Sequence, residues 1–220
     1  MFSQSFPHIF AVEVLEPFIS KWMYIELIHA SKIVGRERFW VYNVKRECER
    51  EKLLQIASRV ESSSIISSLN KLEEEYNIII LDPSAPVELK PGDFSKKSLV
   101  IVGGIMGDHP PRKRTKKELS EKAGGRALLR NIGKGQFTID GAIYVTHLIS
   151  NGLSLDRILV RDGLILRKND LEVYLPYLFP VANGEPVISA EEIEYLLNGI
   201  EKDETLAIRM GRIPSICDSL

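Results

Sequence analysis

Residues 102–111 read Val-Gly-Gly-Ile-Met-Gly-Asp-His-Pro-Pro and follow directly on an apolar run at 99–102. Three glycines let the backbone approach a ligand with no side chain in the way. Asp108 and His109 add two ionisable groups, and an imidazole there can trade a proton near neutral pH or hold a fixed loop hydrogen bond. No Lys-Ser/Thr pair follows Gly107, so the run is not a phosphate-binding P-loop. It also lacks the dinucleotide spacing G-x-G-x-x-G with a helix behind it. A second glycine loop at 131–138, Asn-Ile-Gly-Lys-Gly-Gln-Phe-Thr, offers further unhindered amides and carbonyls. Either loop taken alone also reads as a structural turn. Between them, Arg112, Lys113, Arg114, Lys116 and Lys117 form a basic run suited to RNA phosphate, to an acidic protein surface, or to plain solvation.

The elements that must position these loops alternate in type. Apolar runs at 9–14 and 39–44 bracket Trp22, Ile25, Ile28 and Ile33 at near-helical spacing, which predicts β, α, β. Trp22 falls in step with Ile25 and reads as core, with no chemistry assigned to it. Leu53, Leu54, Ile56, Ala57 and Val60 predict a second amphipathic helix. Ile66, Leu69, Leu72 and Tyr76 predict a third, leading into a strand at 78–81. Strands at 99–102 and 127–129 follow, then a helix N-capped by Thr138 with Asp140 in its first turn, ended near Gly152. Strands apolar at nearly every position argue for a mainly parallel sheet with helices on both faces, and ligands in such sheets bind beyond the carboxyl ends of the strands. Asp162-Gly163 between two apolar runs predicts a tight hairpin, and Ser189 with Glu192 predicts a capping box for a last helix carrying Ile193, Leu196, Leu197 and Ile200.

The chain of 220 residues is long enough for a real core, and residues 1–220 read as one domain with 153–220 as a C-terminal extension. Lys and Arg number 29 against 30 Asp and Glu, without the excess positive charge of dedicated nucleic-acid binders. No apolar stretch reaches membrane-helix length and no signal-peptide pattern opens the chain, so the expectation is a soluble cytoplasmic protein with no membrane partner. Cys48 and Cys217 lie far apart with no metal-ligand spacing around them; two reduced thiols, no disulfide and no metal are expected.

Taken jointly, Gly103-Gly104-x-x-Gly107-Asp-His-Pro-Pro-Arg-x-Arg-Thr115, then Leu129-Arg-Asn-x-Gly133, then Thr138-x-Asp-x-Ala-Ile143, resemble the SPOUT, or α/β-knot, methyltransferases. Glu13, Glu16 and Trp22 also fit the opening of the branch typified by the yeast enzyme that methylates an arginine of a small-subunit ribosomal protein. The resemblance covers the chain to about Gly152 and is loose in the last third. Lys113 stands where the pattern has an acidic residue and Gly141 where it has a threonine.

The resemblance implies an α/β fold with a C-terminal trefoil knot and a small hairpin/helix extension. It also implies S-adenosyl-L-methionine (SAM) as cofactor. Leu81, Asp82 and Pro83, then Gly103, Gly104, Ile105, Gly107, Asp108, His109 and Pro110, then Asn131, Ile132, Gly133, Phe137 and Thr138 would hold it, with Leu81, Ile105, Ile132 and Phe137 as the adenine slot. An arginine guanidinium keeps its charge to a pKa above about 12 and presents a fork of donors, so carboxylates suit it. Glu13, Glu16 and Asp108, with Arg112, are the catalytic candidates. The preferred substrate is a ribosomal-protein arginine. A tRNA or rRNA acceptor is the alternative, and an inactive knotted RNA-binding protein a third reading. Homodimer and monomer both fit.

Overall fold

The computed structural model describes residues 7–107 and 112–218. Six strands, β1 (Ile9–Val14), β2 (Phe39–Tyr42), β3 (Arg59–Val60), β4 (Asn77–Leu81), β5 (Ser98–Gly104) and β6 (Leu128–Arg130), form a parallel sheet in the order β3-β2-β1-β5-β4-β6. Every residue of β1 is buried, because the strand is central and covered above and below. Its alternation splits the core. Phe10, Val12 and Val14 face one layer, Ile9 and Ala11 the other.

The first layer is built by α1 (Lys21–Val34), α2 (Glu47–Leu53) and, later in the chain, α5 (Ile139–Ser150). The second is built by α3 (Leu69–Leu72), the turn before it, and α4 (Glu121–Ala123). The predicted helices on both faces are therefore present. Capping is local and legible. Ser20 Oγ accepts from Met23 N at 3.2 Å to start α1, and Thr138 Oγ1 accepts from Gly141 N at 3.2 Å to start α5. Met23, Leu27, Ala30 and Val34 of α1 meet Ile139, Ala142, Ile143 and Ile149 of α5 in that core. Full burial of each larger aliphatic is worth about 1.5–3 kcal/mol.

Three expectations need correction. The spacing from Leu53 to Val60 is not a helix: α2 begins at Glu47 and ends at Leu53, while Val60 pairs with Val41 in β3. A free sheet edge offers a following apolar segment ladder hydrogen bonds, and burial against the same core suits either state. Asp162-Gly163 is not the hairpin turn. β7 (Val160–Lys168) runs through it with a register shift between Asp162 and Leu164, Gly163 adopting φ +73 under the ring of Tyr174. The chain reverses instead at Asn169-Asp170, where Asn169 has φ 51, and returns as β8 (Leu171–Ala182). Cys48 and Cys217, finally, are joined in a disulfide with Cα atoms 6.2 Å apart. The C-terminal segment folds back over α2, where Ile216 N donates to Ile19 O and Ser215 Oγ donates to Glu49 Oε1 at 2.6 Å. A separation of 169 residues hid that proximity from the sequence.

The last third is an antiparallel unit of β7, β8 and β9 (Glu185–Pro186), followed by α6 (Ala190–Glu194) and, after a π-helical turn, α7 (Ile200–Met210). Its own small core joins Leu164, Leu166, Leu175, Phe179 and Leu196, with Trp22 and Tyr177 packed against it. The capping box is half made. Ser189 Oγ accepts from Glu192 N at 3.0 Å, but the Glu192 carboxylate turns to the Trp22 indole.

Candidate functional site

Three loops leave the carboxyl ends of β4, β5 and β6, and side-chain hydrogen bonds fix each one. After β4, Asp82 Oδ1 accepts from Ser84 N at 2.8 Å and Oδ2 accepts from Ser120 Oγ at 2.7 Å, so this buried carboxylate holds its own turn and ties it to the segment before α4. After β6, Asn131 Nδ2 donates to Ala85 O at 2.9 Å and Oδ1 accepts from Gly133 N at 3.0 Å, clamping that loop onto the first. Gly133 sits at φ +116, a conformation that a side chain would strain. After β5, Met106 N donates to Glu16 Oε1 at 3.1 Å, and Arg114 Nη1 donates to the same oxygen at 2.6 Å. Arg114 also donates to Leu15 O and Glu118 Oε1, and so stitches the end of β1 to both sides of the glycine segment.

These loops enclose a cavity of about 160 Å³. Leu81, Val102, Ile105, Ile132, Phe137 and Ala142 give it apolar walls. Of the residues expected at a cofactor site, Leu81, Asp82, Pro83, Gly103, Ile105, Asn131, Ile132, Gly133, Phe137 and Thr138 line it. Gly104 does not: a Cβ there would meet Val12 Cγ1 at 2.9 Å and Glu13 O at 3.3 Å, so its role is close strand packing. Gly107 lines a smaller neighbouring cleft with Trp22, Glu26, Met106 and Tyr177, which shares Ile105, Gln136, Phe137 and Thr138 with the main cavity. Asp108, His109 and Pro110 lie outside the described residues.

The catalytic candidates separate. Arg112 is on the cavity wall, beside Lys113, Arg114 and Thr115. Glu16 lines neither cavity, its carboxylate being committed to Met106 N and Arg114. Glu13 alternates with Ile9 and Ala11 onto the opposite face of the sheet and accepts from Ile65 N at 2.9 Å. Burial there pushes its carboxyl above the ordinary range, against the pull of the Ile65 and Ser64 hydrogen bonds.

Sequence reasoning passed over several lining residues. Ser84, Gln136 and Lys134 are carried into the wall by loops already singled out, whereas Glu26, on α1, has only helical spacing as a signal. Tyr177 arrives from β8, where Leu178 N donates to Gln136 O at 2.8 Å and Leu178 lies against Gly135. Nothing local in the sequence marks that docking. Below the smaller cleft, Glu26, Asp140 and Glu192 bring three buried carboxyls together. Burial, then Asp140 and Glu192, hold the Glu26 carboxyl well above its usual range, and burial with Asp140 pushes Glu192 up to about 8. His29 Nδ1 is 2.6 Å from Asp140 Oδ2.

No helix among the described residues is long and apolar enough to cross a membrane. No three His, Cys, Asp or Glu among them are placed to hold a metal ion.

Comparison with known proteins is consistent with this geometry. A protein arginine N-methyltransferase of Saccharomyces cerevisiae, SFM1, is 26% identical over 211 residues, spanning 90% of this chain and 97% of the yeast protein. The crystal structure of that yeast enzyme complexed with SAH superposes with a TM-score of 0.77 at 26% identity, over 86% of this chain and 94% of that one. A dual specific Trm10 from Thermococcus kodakaraensis shares the fold at 18% identity, with a TM-score of 0.52 over 68% of this chain and 95% of its own. The architecture is that of the SPOUT proteins, as the parallel sheet and its neighbours show. The family described as protein arginine N-methyltransferase SFM1-like matches residues 9–203. With nearly its whole length so matched, this chain belongs to the SFM1-like family of protein arginine N-methyltransferases.

Proposed function

We propose that this chain is a SAM-dependent methyltransferase acting on an arginine of a protein of the translation machinery, a ribosomal protein by preference. The observation that carries the reading is the main cavity. It is walled by three loops at the carboxyl ends of adjacent parallel strands, apolar on one side and lined by backbone amides, Asn131, Thr138 and cationic side chains on the other. The solved yeast relative with the same fold is complexed with SAH.

The residues present fit such a group. Leu81, Ile105, Ile132 and Phe137 would take an adenine, with loop backbone groups at its polar edge. Arg112, Lys113 and Lys134 carry the charge that suits an amino-acid carboxylate. When bound, SAM supplies an electrophilic sulfonium methyl. The chain's own task is then to hold the acceptor in line, keep water out, and receive the proton that the acceptor nitrogen must lose. Glu16 and Arg114 serve the first of these by fixing the loop after β5. A trefoil threading of the chain through these loops belongs to the same proposal.

A second reading, an RNA acceptor, is favoured by the exposed Arg112, Lys113, Lys116 and Lys117 near the cavity mouth. Arg114, spent on Glu16, Glu118 and Leu15, weakens that patch. Purified protein incubated with labelled SAM and ribosomes decides. Label on a ribosomal protein that survives ribonuclease is the expected result. Label lost with the RNA supports the second reading, and no transfer to either overturns both.

A further inference from the structure

The smaller cleft and the carboxylates behind it have no part in holding the cofactor. Resting on the methyl-transfer reading, we infer that this cleft is a guanidinium pocket, with Trp22 and Tyr177 as aromatic walls and the buried carboxylates of Glu26 and Glu192 as its charged floor.

Position comes first. The cleft shares Ile105, Gln136, Phe137 and Thr138 with the main cavity, so a group seated in it stands beside whatever occupies the larger space. Glu26 reaches its wall while remaining 6% exposed, with Oε2 accepting from Ile139 N at 2.8 Å. Trp22 and Tyr177 have ring centroids 6.4 Å apart and nearly perpendicular planes, presenting a π-face and an edge toward one space. A planar cation is attracted to such a face.

Charge comes second. Trp22 Nε1 donates to Glu192 Oε1 at 3.0 Å, yet Glu192 Oε2 has no hydrogen-bond partner among the described residues, although Glu192 is only 1% exposed. A buried carboxylate oxygen without a donor is costly and asks for an explanation. Asp140, equally buried, adds a third carboxyl, and His29 is the base that answers it. Farther out, Lys32 is held by Glu191 at 2.7 Å. No metal-ligating set is present among the described residues, so the surplus acceptors do not form a metal site.

A guanidinium meets both conditions. It is flat enough to lie on an indole, and its five forked donors satisfy carboxylate oxygens that face it from different elements. A lysine ammonium offers neither the plane nor the fork. Because burial raises both carboxyls, a docking cation displaces their protons.

The test uses the full chain and calorimetry near neutral pH. The protein is titrated with SAH, and the SAH-saturated protein is then titrated with the peptide acetyl-Gly-Arg-Gly-amide and with its lysine counterpart. The arginine peptide is expected to bind and to release protons, read as a heat that changes with the buffer's ionisation enthalpy. Glu192→Gln and Glu26→Gln should each weaken it about tenfold, the loss of one charge-assisted hydrogen bond, with SAH affinity unchanged. The lysine peptide should bind about tenfold more weakly to the unmutated chain, a comparison that stands even if a variant misfolds. Equal binding of both peptides, no arginine binding at millimolar concentration, or variants that bind like the parent overturn the inference. Absence of SAH binding overturns the methyltransferase reading instead, while the arginine titration still reads the pocket.

Discussion

Tyr177 sits against Gly107, so that a Cβ added to the glycine would come within 2.5 Å of the phenol oxygen and 2.8 Å of Gln136 Nε2. The hairpin unit therefore presses on the glycine segment that walls both cavities. Gly107→Ala must move either the loop or the ring, and displacements on the scale of an ångström near a reacting centre cost about 10–100-fold in rate. Methyl-transfer rates should fall by that amount in Gly107→Ala and recover in part when Tyr177→Ala is added. A double variant as poor as the sum of its singles would disprove the contact's role.

Glu16 and Arg114 act as one device through the shared oxygen at 2.6 Å. Glu16→Ala and Arg114→Met should each weaken SAH binding about tenfold, since the loop after β5 loses a charge-assisted hydrogen bond. The double variant should be no worse than either single. Fully additive losses in calorimetry would show that the two residues hold the loop separately.

Glu192 predicts a pH dependence of stability. Its carboxyl rises from the ordinary 4.5 to about 8 on folding, through burial and then Asp140. A raised pKa means that the native state binds the proton more tightly, so this contribution is complete below 4.5 and is lost as pH climbs through about 8. Glu26 on α1, Asp140 on α5 and His29 all face the same space. The thermal midpoint of the parent should fall across that window more steeply than that of Glu192→Gln. Parallel curves from the two proteins would contradict it.

The Cys48–Cys217 bridge closes a span of 169 residues. In the chain-entropy picture such a cross-link is worth about 5 kcal/mol. Cys217→Ser, or reductant, should lower the thermal midpoint by on the order of 10 °C, and reductant should then do nothing further to the variant. SAH binding should persist, because the bridge lies against α2, away from the cavity walls.

What the sequence disclosed was local. Thr138 could be named as a cap because its partner, Gly141, is three residues on, and the loops at 103–107 and 131–138 could be named because glycines advertise backbone freedom. Glu13 went astray by strand parity: its type suited the chemistry, but period-two alternation turned it to the face where Ile65 waits. Trp22 read as core from its spacing, and it does pack there, yet its indole N–H spans 170 residues of sequence to Glu192. Tyr177 and the cystine were out of reach for the same reason. Each depends on where a later segment docks, which no window of neighbouring residues encodes.

The cystine also changes what a broken chain would be. Because it joins Cys48 to Cys217, a protease that severs any one peptide bond between them opens a ring without freeing a piece. A molecule nicked in an exposed loop thus keeps its mass and can keep its parallel sheet assembled until a thiol reagent releases the halves. Damage and dissociation become separate events, the second answering to the redox state of the surroundings.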